Sequence, residues 1–452
     1  MAEEDDDMYF ANANFNESTG EIKPLNGVCC APYAIGGGKN QPMVDKIFKE
    51  ANISYCRLHD CMGSYGGAHF VDITNVFPDF SKDASDPASY DFHYTDEYVS
   101  AIVSTGTEPY FRLGETIEWG SKKYSTLVPP DFNKWAKICE MIVRHYNEGW
   151  AEGFHFNIKY WEILNEPENP GNEFGPSMFQ GTKEEFFKLY ETASKHLRTC
   201  FPDIKVGGYG SCGFYEVTRE KINESFREFV PYFKSFLAMV RETGSPLDFF
   251  SWHIYTDSVD EILTHAQFVR QALDENGFTK TESHLNEWNI GAEGQSFSAK
   301  HTMEGASFNA AVISALQNAG TVDLAAYYCL SMSGLYNGFI DQNDHKIDYP
   351  FYSFKAFGRL YSLENAVKSE CSSEIYSCAA KNEAEGAVMI SNYNGAEDSV
   401  RLSYNSAPGK EISLYLLSEG LYLKEIFNAS VSKDGFIEFV LPERSVALIL
   451  FK

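Results

Sequence analysis

The stretch KYWEILNEPE, Lys159 to Glu168, decides the fold. It begins as an extended aromatic and apolar run, Tyr160, Trp161, Ile163 and Leu164, and stops at Asn165, Glu166 and Pro167. Proline cannot donate to a sheet ladder, and it drives the residue before it out of the helical region. Glu166 is therefore predicted at the C-terminal lip of a buried strand. A second stretch, ESHLNEWN at Glu282 to Asn289, delivers Glu287 in the same way, and in both an Asn directly precedes the Glu. In a barrel of parallel strands, that lip is where chemistry gathers.

Outward from these stretches a strand-then-helix alternation persists. NGVCCAP (Asn26 to Pro32), ISYCRLHD (Ile53 to Asp60) and EPYFRLG (Glu108 to Gly114) read as the first three strands. IKVGGYG (Ile204 to Gly210), DFFSWHIYT (Asp248 to Thr256) and LAAYYCLSM (Leu324 to Met332) read as the fifth, sixth and eighth. Between them lie helical patterns with start signals: Asp131 as an N-cap, Thr182 with Glu185 as a capping box, and Ser258 with Glu261. Eight such units predict a (β/α)8 TIM barrel over residues 26–365. An open doubly wound sheet would announce itself by a glycine-rich phosphate turn, and Gly36, Gly37 and Gly38 lack the spacing. After Ala366 the pattern changes to short strand-like runs split by Gly, Asn, Ser and Pro, which predicts a C-terminal antiparallel β-sandwich over 366–452. Residues 1–25 read as a tail whose aromatic stretch, Met8 to Phe15, can add a strand to that β-domain.

Composition narrows the function. A net charge of −27 argues against nucleic acid and against anionic membrane surfaces, both of which need a basic footprint. Part of that charge is the acidic run Glu3 to Asp7, read as a solvated tail. Ten cysteines are scattered without a disulfide framework or paired zinc spacing. With no signal-like N-terminus and no membrane-length apolar run, the chain reads as cytoplasmic, secretion being open if a signal peptide preceded it. No phosphate-binding loop or H-E-x-x-H motif is present, and no cofactor or metal is expected.

Two strand-end glutamates are what glycoside hydrolysis requires, one as acid and one as nucleophile or base. The fourth and seventh strands of a closed barrel face each other across its mouth, so Glu166 and Glu287 can meet there. The NEP of Asn165 to Pro167 and the NEW of Asn286 to Trp288 resemble the large clan of retaining (β/α)8 glycosidases. Within it the chain most resembles glycoside hydrolase family 39, the β-xylosidases and α-L-iduronidases. FKEANISYCRLHD (Phe48 to Asp60) is similar to that family's second-strand signature, and FVLPERSVALILF to the end of its β-domain.

The resemblance implies Glu166 as general acid/base with a raised pKa, and Glu287 as the nucleophile. It implies that Arg57 and Tyr255 support Glu287, that Asn165 donates to the sugar 2-hydroxyl, and that His59 and His253 line the terminal subsite. Trp288 and Tyr328 complete the expected substrate-binding set, with Glu115, Glu118 and Trp119 as weaker pocket candidates. Arg57 also reads as half of a structural ion pair and His253 as a satisfied core histidine, and Trp161 and Trp252 read as barrel filling. The eighth strand departs from the clan: AAYYCLSMSGLY carries Tyr327 and Tyr328 where a tryptophan platform is usual. The expected partner is an oligosaccharide or glycoside, with a neutral terminal sugar such as xylose first and galactose, arabinose, glucose or a uronic acid as alternatives. A carbohydrate-binding protein without catalysis is the reading from another class, and a homo-oligomer is compatible with the resemblance.

Overall fold

The computed structural model describes residues 8–30, 41–61, 71–116, 124, 127–172, 175–291, 297–330, 336–341 and 346–452. The acidic run, Gly36 to Gly38, Glu118, Trp119 and the last two residues of the predicted eighth strand lie outside the described residues.

After β1 (Tyr9–Glu21), the barrel strands begin with β2 (Gly27–Cys29), β3 (Tyr55–Leu58), β4 (Glu108–Leu113) and β5 (Tyr160–Ile163). A short ladder, β6 (Gly171–Asn172) and β7 (Gly175–Pro176), interrupts them, and β8 (Lys205–Ser211), β9 (Phe249–Tyr255), β10 (Glu282–Asn289) and β11 (Leu324–Tyr327) complete the set. All eight pair in parallel, and β11 against β2 closes the ring. The helices are α1 (Gln41–Glu50), α2 (Ile73–Val76), α3 (His93–Val103), α4 (Phe132–Glu148), α5 (Lys183–Cys200), α6 (Phe229–Thr243), α7 (Val259–Glu275), α8 (Met303–Ala319) and α9 (Tyr349–Tyr361). The start signals act as read: Asp131 accepts from the amides of Asn133 and Lys134, and Thr182 with Glu185 forms the reciprocal capping box.

The barrel interior is layered. Tyr55, Tyr110, Tyr160, Phe249 and Leu324 pack together at the foot, near the starts of their strands. Above them sits a polar layer of Arg57, Glu162, Ser251 and Asn286, all fully buried. The outward faces of the strands, with Trp161, Trp252 and Trp288, join the helices in one large apolar core.

The all-β region is a single nine-stranded sheet. It comprises β12 (Asn365–Cys371), β13 (Tyr376–Lys381), β14 (Gly386–Asn392), β15 (Asp398–Asn405), β16 (Glu411–Ser418), β17 (Leu421–Ser430), β18 (Phe436–Leu441) and β19 (Ser445–Phe451), together with β1. The sheet curls so that Ala13, Phe15, Val388, Leu402 and Phe451 share an interior of their own. β1 lies between β12, to which it is antiparallel, and β15, to which it is parallel. The alternate face, with Cys378, Met389 and Leu448, belongs to the same apolar core as the barrel. Ser391 Oγ donates to the Ser307 carbonyl and Tyr393 Oη to the Asp257 carbonyl, tying the sheet to α8 and to the start of α7.

Candidate active site

Arg57 organises the site. It reaches inward from β3, fully buried, and each of its three nitrogens finds a different acceptor. Nε donates to Glu162 Oε2 at 2.7 Å, Nη1 to Glu287 Oε1 at 2.7 Å, and Nη2 to Asn165 Oδ1. A guanidinium can only donate, so this contact fixes the Asn165 amide with Oδ1 toward Arg57 and Nδ2 turned away, 3.3 Å from Met178 Sδ. Glu162 is satisfied in turn by Ser251 Oγ at 2.6 Å and Asn286 Nδ2 at 2.7 Å.

Glu287 reaches this position because β10 carries an irregularity between Leu285 and Glu287 relative to β9. A bulge breaks the in-out alternation of a strand, so Asn286 and Glu287 both contact groups of the barrel interior. Tyr255 Oη donates to Glu287 Oε2 at 2.8 Å, completing its clamp with Arg57. Glu166 stands on a strained turn, with Leu164 at φ 61° and Glu166 at φ 45°. These are sparsely populated conformations for residues with side chains. Its backbone amide is held by the carbonyls of Tyr209 and Gly210 at 3.1 and 3.0 Å. Its carboxylate accepts from His253 Nδ1 and from Asn169 Nδ2, at 2.8 and 2.9 Å.

The electrostatics correct one expectation. Burial pushes Glu166 up, but the hydrogen bonds from His253, Asn169 and Cys212 and the charge of His253 outweigh it, leaving the carboxyl below its ordinary range. Burial pulls His253 down, yet the neighbouring Glu287 and Glu166 raise it above its ordinary value. Both shifts favour the proton on His253 over Glu166, its carboxylate partner.

His59 sits between Arg112 and the mouth. Arg112 Nε donates to His59 Nδ1 at 3.1 Å, so the ring carries its hydrogen on Nε2, which lies 3.4 Å from Asp60 Oδ1 and 3.7 Å from Glu287 Oε1. Tyr328 stands across the mouth beside Tyr336, their rings 5.3 Å apart, and Tyr255 packs on Tyr336 at 5.1 Å. Trp288 is not brought to the pocket. Strand alternation turns it outward from Glu287, and its ring is buried against Tyr327, Phe308 and Phe354. Glu115, just past the end of β4, is buried and accepts from the amide and hydroxyl of Thr74.

One ligand atom each from Glu166, His253 and Glu287 lie within 4.8 Å of one another, a donor set that could hold a cation. The Arg57 guanidinium and the His253 proton already supply positive charge there. A second set, Glu140, His196 and Cys200, lies on α4 and α5, where Lys137 and Arg144 hold Glu140.

The family model for glycosyl hydrolases family 39 matches residues 41–366, well over half of the chain and nearly all of the barrel. The chain belongs to glycosyl hydrolases family 39. It is 24% identical over 290 residues to a β-xylosidase of Geobacillus stearothermophilus, covering 58% of this chain and 52% of that protein. It is 22% identical over 344 residues to a β-xylosidase of Caldicellulosiruptor saccharolyticus, covering 68% of this chain and 64% of that one. This family 39 chain thus spans between about half and two thirds of the curated relatives it matches. The crystal structure of a glucosidase from Croceicoccus marinus superposes with a TM-score of 0.80 at 22% identity, covering 98% of each chain.

Glu162 escapes a reading of the sequence of this family 39 chain, although a signal for it exists. It lies two residues before Leu164 on a run buried on both faces, where a charged side chain demands a partner. That partner, Arg57, comes from a distant strand.

Proposed function

We propose that the chain is a retaining exo-glycoside hydrolase working by double displacement, with Glu287 as nucleophile, Glu166 as acid/base and a neutral, xylose-like terminal sugar as substrate. The observation that carries this reading is the approach of Glu166 and Glu287, which each present an oxygen within 4.8 Å of the other. Retaining enzymes keep their carboxyl groups about 5–5.5 Å apart, whereas inverting ones need about 6.5–9.5 Å to admit a water. Family membership and the two β-xylosidase relatives support the substrate class.

Arg57 and Tyr255 hold the Glu287 carboxylate in one orientation for attack on the anomeric carbon. The leaving oxygen takes its proton from Glu166, which draws on His253 through the 2.8 Å Nδ1–Oε1 bond. Once Glu287 is glycosylated its negative charge is gone, and with it one of the charges that raise His253. Glu166, returned to its carboxylate form, then serves as base toward water. Asn165 Nδ2, oriented by Arg57, directs one hydrogen at Met178 Sδ and offers the other to the sugar 2-hydroxyl. In this reading residues 26–365 are the catalytic unit, and the sheet of residues 366–452 with β1 is a buttress.

The test is turnover of α- and β-aryl glycosides by wild type and by Glu287→Ala, with the first-formed product followed by NMR. Release of the sugar with the anomeric configuration of the substrate, abolished in the variant, is the expected result. Release with inverted configuration, or turnover undiminished in Glu287→Ala, would overturn it.

A further inference from the structure

Asp60 stands two residues beyond the end of β3 with φ 53°, a left-handed conformation that Asp tolerates better than most side chains. Tyr328 Oη, from the far side of the barrel closure, donates to its Oδ2. Its other oxygen, Oδ1, is buried and takes no hydrogen bond. His59 Nε2 lies 3.4 Å from that oxygen and 3.7 Å from Glu287 Oε1, so a single imidazole edge separates Asp60 from the Glu287 carboxylate. The nearest donor to Oδ1 is that His59 Nε2–H, which makes no hydrogen bond to it; an acceptor left this way is costly, and a ligand hydroxyl that donates to it recovers that cost.

We propose that Asp60, held by Tyr328, is the specificity-determining residue that accepts a hydrogen bond from a ring hydroxyl of the terminal sugar while the anomeric carbon faces Glu287. This inference rests on the glycosidase reading above and sharpens it. A carboxylate facing the sugar selects a hydroxyl and disfavours a uronic acid, whose own carboxylate would meet Asp60 and Glu287 together. Tyr328 thereby fixes an acceptor rather than providing a platform.

The charge balance around Asp60 supports a titrating contact. Burial pushes it up to about 6, the Tyr328 hydrogen bond and Arg112 pull it down, and Glu287 and Asp72 push it up. His59 and the Cys30 thiol also face it. Asp60 is thus ionised and ready to accept at neutral pH, and substrate affinity weakens as pH falls through about 6.

The experiment takes the aryl glycoside that wild type turns over best, together with its 3-deoxy and 4-deoxy analogues, and compares wild type with Asp60→Asn and Tyr328→Phe. A site built to bond a hydroxyl rejects the analogue lacking it by up to about 10⁴-fold, so wild type is expected to reject one deoxy analogue by about 10²-fold or more in kcat/KM. In Asp60→Asn that discrimination collapses because the hydroxylated substrate alone becomes slower. Tyr328→Phe, which removes the hydrogen bond that lowers Asp60, moves the acid-side weakening of KM to higher pH. Wild type that accepts both deoxy analogues, or an Asp60→Asn enzyme that discriminates as before, overturns the inference while leaving the glycosidase reading intact. A wild type that turns over no glycoside overturns both.

Discussion

His253 Nδ1 donates to Glu166 Oε1 across 2.8 Å, and the same nitrogen lies 3.6 Å from Glu287 Oε2. One imidazole therefore lies against both carboxylates, and in the proposed mechanism it supplies the proton for the acid step. The alkaline limb of the pH–rate profile belongs to the Glu166–His253 pair rather than to either residue. Glu287 and Glu166 raise His253 above its ordinary value, so in the wild type activity is expected to fall as pH rises through that raised range. His253→Asn leaves only a carboxyl to hold the proton, so the alkaline limb is expected at lower pH, with kcat/KM reduced by about 10²-fold or more. An alkaline limb that stays in place in the variant would show that His253 does not share the proton.

Arg57 neutralises Glu162 and Glu287 in a fully buried layer. Arg57→Met leaves those carboxylates without their common cation, and breaking a buried pair from one side costs about 3–5 kcal/mol. Pairing it with Glu162→Gln removes one of the orphaned charges. The double variant is expected to regain stability in urea unfolding while remaining inactive, because Glu287 still lacks its clamp. Recovery of activity along with stability would mean that Arg57 only holds the fold.

Glu168 accepts from Ser211 Oγ and the Cys212 amide on one oxygen, and its other oxygen is buried without a hydrogen bond. Burial pushes it up from 4.5 to about 7, the hydrogen bonds working against that and Glu166 reinforcing it. A carboxyl raised in the folded state favours folding when protonated, so its contribution falls as pH rises from the ordinary carboxyl range through about 7. Glu168→Gln is expected to be more stable than wild type at pH about 8, by up to roughly 3 kcal/mol, and to match it near pH 5. Thermal melts at the two pH values decide it, and equal differences at both would refute the assignment.

Gly210 takes φ 62°, and a Cβ there would meet Asn165 Oδ1 at 2.6 Å, His253 Nε2 at 3.2 Å and Arg57 Nη2 at 3.3 Å. Gly210→Ala therefore strains the backbone by about 1–3 kcal/mol and pushes on three side chains of the site at once. The expected signature is a kcat loss larger than any rise in KM, with a cooperative but lowered melting transition. A variant with wild-type kcat would show that these side chains shift without consequence.

Much of the architecture was legible in the chain. Pro167 after a run of strand-forming residues marked the lip on which Glu166 stands, and the caps at Asp131 and Thr182 marked helix starts, because these are local effects that act within a few residues. Glu162 was harder, since a buried carboxylate declares itself only through a partner, and Arg57 is 105 residues away in sequence. Trp288 was expected at the pocket beside its neighbour Glu287, while strand alternation sends adjacent side chains to opposite faces.

By itself the sequence determined the strand–helix alternation, the two strand-end glutamates and the change to an all-β pattern after the barrel, all of which follow from short-range periodicity and from proline. Tertiary structure alone decided the rest. The irregularity in β10 is a mismatch with β9 and has no meaning within one strand. The parallel entry of β1 beside β15 depends on how a distant segment packs. The upward shift of His253 arises because closure of the ring places two carboxylates, from β10 and from the turn after β5, against one imidazole, and their charge outweighs its burial.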